Sequence, residues 1–110
     1  MDSVKQESVR SHPRTILMSR IELFLRAKAE AERLHLKYPK DSTIDSIIKQ
    51  LSFLVELDRG ERSDAIRLND IIIGVLALRE IDPLDPNLAE LLYSVMEEVE
   101  TMKRVMLKHA

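Results

Sequence analysis

The apolar positions recur at helical spacing along almost the whole chain. From Arg14 to about Lys37, Leu17, Ile21, Phe24, Ala27, Ala31 and Leu34 return every three or four residues, the mark of a helix with one buried face. The residue before Pro39 is pushed toward extended geometry, so this helix is expected to stop near Tyr38. Asp41-Ser42-Thr43 then offers a cap, with Asp45 three residues after Ser42 in a capping-box-like position. The stripe Ile44, Ile47, Ile48, Leu51 and Leu54 or Val55 follows, and Gly60 marks the end, where a left-handed residue is tolerated.

Ser63 is the next plausible cap, and the pattern predicts a third helix from about Asp64 to Ile81. Its segment Ile71-Ile72-Ile73-Gly74-Val75-Leu76-Ala77-Leu78 is apolar almost all round. Such a β-branched run also suits a buried strand, but the periodicity from Ile66 to Ile81 is too long for one. The expectation is therefore a central, deeply buried helix, with Gly74 at a close helix–helix approach because glycine costs about 1 kcal/mol in mid-helix. The fourth helix has the clearest start, with Asp85 as cap and Pro86 at the first position, where no hydrogen bond is lost. Leu88, Leu92, Val95, Val99, Met102 and Met106 then form a seam, leaving Leu91, Met96, Val105 and Leu107 beside it. Four helices with short connections predict an all-α, single-domain antiparallel bundle over residues 14–110, preceded by a polar, disordered lead over residues 1–13.

Composition narrows the function classes. With 110 residues the chain can bury one core unaided, and 45% apolar with 33% charged residues is the balance of a folded globular protein. There is no cysteine, which removes disulfides and thiolate metal sites. No run approaches the roughly 18 apolar residues of a membrane span, and the N-terminus lacks the apolar stretch of a signal peptide, so the chain reads as cytoplasmic with no membrane partner. The net charge of −2 hides an asymmetry: residues 1–40 hold nine basic against five acidic residues, and residues 41–110 hold eight against fourteen. An acidic body argues against nucleic acid and for a basic protein partner.

The acidic excess is concentrated. Between Arg79 and Lys103 there are seven carboxylates, Glu80, Asp82, Asp85, Glu90, Glu97, Glu98 and Glu100, and no basic residue. Two readings stay open. Acids near a helix start complement its dipole, and the others can form a solvated face. Against this, no Lys or Arg lies within the segment to make i,i+4 pairs, and Tyr93 with Met96 among the acids has the look of an interface anchor. The candidate partner-binding residues are Asp82, Asp85, Glu90, Tyr93, Glu97 and Glu100, with Asn69 and Asp70 as outer members. Catalysis is a poor fit. His12, His35 and His109 are scattered and lack ligands at metal spacing, no phosphate-binding glycine loop exists, and carboxylates off the apolar seam lack the burial that splits their pKa values. No cofactor or metal is expected.

The stretch from Lys49 to about Tyr93 resembles a known family. Lys49-Gln50-Leu51 with Phe53, then Leu68, Gly74 and Ala77, then Glu80, Asp82, Asp85-Pro86 and Leu88 to Leu92 carry the likeness, and Arg79-Glu80-Ile81-Asp82-Pro83-Leu84-Asp85-Pro86 is its most specific part. It is similar to the small helical immunity proteins that neutralise type VI-secreted toxins degrading NAD(P)+. The resemblance implies a non-enzymatic antidote that binds a cognate toxin over its active site and protects the producing cell and its kin. It implies an NAD(P)+-degrading partner, with a nuclease or another nucleotide-binding toxin as alternatives. The rival readings are a homodimeric helical adaptor joined through Leu91, Met96, Val105 and Leu107, a nucleic-acid-associated protein using the basic N-terminal region, and a metal-dependent carboxylate enzyme.

Overall fold

The computed structural model describes residues 18–108, which form α-helices, a 3-10 segment and a π turn and contain no strand. The expected lead, and Leu17 of the first apolar stripe, lie outside these residues. The first helix, α1, spans Arg20–Lys37 and begins later than the periodicity suggested, because Ser19 supplies a complete capping box. Its hydroxyl accepts from the Glu22 amide at 3.3 Å, and the Glu22 carboxylate accepts from the Ser19 amide at 2.9 Å. The Ser19 backbone amide, then the Ser19 hydroxyl, holds the Glu22 carboxyl below its ordinary pKa. The helix ends at Tyr38, as Pro39 requires.

Helix α2 spans Ser42–Asp58 and is capped by Asp41, whose carboxylate accepts from the Ile44 amide at 3.0 Å, so the cap lies one residue before the serine of the expected box. It closes on Gly60, with φ +76. The Gly60 amide bonds to Leu57 O at 3.1 Å and the Glu61 amide to Glu56 O at 2.9 Å, the Schellman pair that uses up two end-of-helix carbonyls.

The third helix is where the structure departs from the pattern. Instead of one buried rod over 64–81 there is a 3-10 segment, Ala65–Asp70, then a short helix α3, Ile73–Leu76, and then a π turn, Ala77–Ile81. Ser63 caps nothing, and Asp64, which precedes the 3-10 segment, makes no side-chain cap because its carboxylate is bound by Arg62 at 2.7 and 2.8 Å. Asn69-Asp70 and the β-branched run after it are poor helix formers. The break is held from outside: Gln50 of α2 accepts from the Ile72 amide at 2.8 Å. Nor is the segment buried all round. Leu68, Ile71, Ile73, Ala77 and Ile81 face the core, whereas Ile72, Val75 and Leu78 are 49%, 52% and 64% exposed.

Helix α4, Pro86–Lys108, starts as the sequence predicts, with Asp85 accepting from the Leu88 amide at 3.1 Å. Its seam residues Leu88, Leu92, Val95 and Val99 are buried with Ala89 and Leu91. They pack with Phe24, Ala27 and Ala31 of α1 and Ile44, Ile47, Leu51 and Leu54 of α2 in one apolar core, and among the described residues no polar side chain is buried. Arg20 ties the three long helices together. Its Nε donates to Glu98 at 2.9 Å, and its Nη1 stands 3.8 Å from Asp58.

Candidate functional site

The exposed apolar residues of the third segment, Ile72, Val75 and Leu78, do not stand alone. Between α3 and α4 runs an open groove of about 500 Å³. Ile71, Ile72, Gly74, Val75 and Leu78 line it from the third segment, and Tyr93, Met96, Glu97 and Glu100 from α4. The spacing of these last four puts them on one helix face. The two sides close up at Gly74, where a Cβ would come within 2.9 Å of the Met96 side chain. The close approach expected of Gly74 is present, but at the surface rather than in a central rod.

The seven carboxylates take different roles. Asp85 is half-buried and caps α4. Glu98 is taken by Arg20, and Glu100 meets Lys103 at 3.3 Å while remaining exposed. Glu97 lines the groove, and among the described residues no ion pair reaches it, nor Glu80, Asp82 or Glu90. Glu90 lies a turn before Tyr93 and two turns before Glu97, so it extends the same acidic row toward the 82–85 corner. Tyr93 is half-buried, and burial first, then the charge of Asp82, raises the pKa of its phenol.

Of the residues singled out from the sequence, Tyr93, Glu97 and Glu100 therefore meet in the groove, with Asp82 within electrostatic reach of Tyr93. Asn69 and Asp70 are exposed just before Ile71 and do not line it. The apolar side of the groove, Ile72, Val75 and Leu78, escaped sequence reasoning. A signal was present: an all-round apolar stretch in a chain this small lacks neighbours enough to cover both faces. The bond that Gln50 makes was not foreseen either, since nothing in its local sequence marks a contact with a residue 22 positions away.

The apolar positions beside the α4 seam do not share one exposed surface. Leu91 is buried in the core and Met96 packs against Gly74, which leaves Val105 and Leu107 exposed. Among the described residues no helix is long and apolar enough to cross a membrane, and no group of acids and histidines is placed to hold a metal ion.

A family described as Tsi6 matches residues 19–101, from the α1 cap through most of α4. The chain belongs to the Tsi6 family. Its members are type VI secretion immunity proteins, the family that the Lys49–Tyr93 stretch resembles. Among solved structures, that of Tsi6 from Pseudomonas aeruginosa is 28% identical, with a TM-score of 0.68 over 71% of this chain and 81% of that one. Comparison with proteins of curated function finds no match. The Tsi6 match takes in α1, α2, the broken third segment and most of α4, so the groove lies wholly within the shared region.

Proposed function

We propose that this Tsi6-family chain acts in the cytoplasm as a non-enzymatic antitoxin that binds its cognate type VI toxin and covers the toxin's active site. The observation that carries this reading is the α3–α4 groove, where solvent-exposed aliphatic side chains face a row of carboxylates without an internal function that accounts for Glu97 or Glu90. A dinucleotide carries an anionic pyrophosphate, and an acidic surface meets a cleft that binds such a group through basic side chains with complementary potential. Aliphatic area supplies the affinity that surface charge alone does not.

The experiment is a mixture of the purified chain with its cognate type VI toxin, followed by NAD(P)+ consumption. Stoichiometric loss of toxin activity, together with an isolable complex, is the expected result. Full toxin activity in excess chain refutes the reading.

A further inference from the structure

The groove is asymmetric in a way that defines what fits it. One side is aliphatic (Ile72, Val75, Leu78) and the other is acidic around a tyrosine (Tyr93, Glu97, Glu100). The two chemistries line a single cleft, whose sides meet where Gly74 packs against the Met96 side chain. We infer that this groove is the docking site for one protruding segment of the toxin, in which an aliphatic or aromatic side chain is flanked by Lys or Arg. The inference rests on the antitoxin reading and specifies its contact.

Each part of the segment has its own counterpart. The apolar side chain buries against Val75 and Leu78, removing from water area that the chain's own core leaves uncovered. The flanking cation meets Glu97 and Glu100, with the Tyr93 ring beside them for a cation–π contact. A second copy of this chain is a poorer occupant. A two-fold pairing of this face sets the carboxylate row of one copy near that of the other, and like charges brought together oppose association. Against a basic segment the same row is attractive.

The test measures the toxin's Kd for the full-length chain and its variants at low and high salt. Val75→Asp and Leu78→Asp each raise Kd by about 100-fold or more, with circular dichroism melts like the parent. The pair Glu97→Gln/Glu100→Gln slows association about tenfold at low salt, and the difference shrinks as salt screens it. Hydrogen exchange of the complex shows new protection over 72–78 and 93–100. Leu36→Asp, on the exposed outer face of α1, leaves Kd unchanged.

If the parent chain binds and inhibits the toxin while all groove variants bind equally well, this inference falls and the antitoxin reading stands. A parent chain that does not bind the toxin sinks both. A concentration-dependent dimer dissolved by Val75→Asp overturns the inference in favour of a second copy as occupant.

Discussion

Gly74 and Met96 touch so closely that a methyl group on the glycine would stand 2.9 Å from the methionine Cγ. The contact sets both the depth of the groove and the distance between α3 and α4. Gly74→Ala forces Met96 aside, and overpacking of this kind costs about 1–3 kcal/mol, offset by at most about 1 kcal/mol of helix propensity. A net loss of about 0.5–2 kcal/mol is expected in urea unfolding. In a Met96→Ala background the same substitution is expected to be neutral or mildly stabilising. Additive effects would show that the contact is not what excludes a side chain at position 74.

Neighbouring glutamates on α4 separate stability from binding. Glu98 is held by Arg20, so Glu98→Gln is expected to lower stability by about 0.5–1 kcal/mol, the range of a partly exposed pair, and to leave toxin affinity near that of the parent. Glu97 has no such partner among the described residues. Glu97→Gln is expected to leave the melting curve within about 0.5 kcal/mol of the parent while weakening association. Thermal melts and binding kinetics on the two variants decide it.

Tyr93 reports on the groove directly. Burial and, secondarily, Asp82 raise its phenol above the usual 10.0. In a Tyr38→Phe background, ultraviolet titration is expected to show a midpoint above that of free tyrosine. Asp82→Asn lowers the midpoint part of the way and no further, since burial is the larger cause. The sign for stability follows: the unfolded phenol ionises near 10 and the folded one later, so the contribution is intact below 10 and lost as pH rises through the folded value.

Acid should weaken the turn after α2. Arg62 binds Asp64 and Glu56 and stacks 4.7 Å from the centre of the Phe53 ring. The hydrogen bonds from Arg62 lower the Asp64 carboxyl from 3.8 to about 2. Its contribution is present above pH 3.8 and disappears as pH falls toward about 2. Urea midpoints measured from pH 5 to 2 are expected to fall less steeply in Asp64→Asn than in the parent.

The legible parts of the fold were those governed by local rules. The stripe of α2, the Asp85-Pro86 start, the stop before Pro39 and the left-handed Gly60 each depend on residues within a few positions of one another, and each is present. Ser19 obeys the same local rules, but the periodic stripe beginning at Leu17 drew the expected start past it. The third helix failed for a non-local reason. Its apolar pattern is real, but Gln50 holds its backbone open at Ile72, and among the described residues no further helix covers its outer face. The site divided along the same line. Tyr93, Glu97 and Glu100 share a helix face that spacing alone identifies. Their convergence with Val75 and Leu78, and the diversion of Glu98 to an arginine 78 residues away, depend on how the helices pack.

One side of the groove is built from side chains that the core does not need. Ile72, Val75 and Leu78 point outward from a segment anchored by Leu68, Ile71, Ile73, Ala77 and Ile81, with Gln50 holding its backbone at Ile72. Changing the outward residues alters what the surface recognises, while the inward ones keep the helices together. On the docking proposed for this groove, three positions can change with a changing toxin while the scaffold is retained.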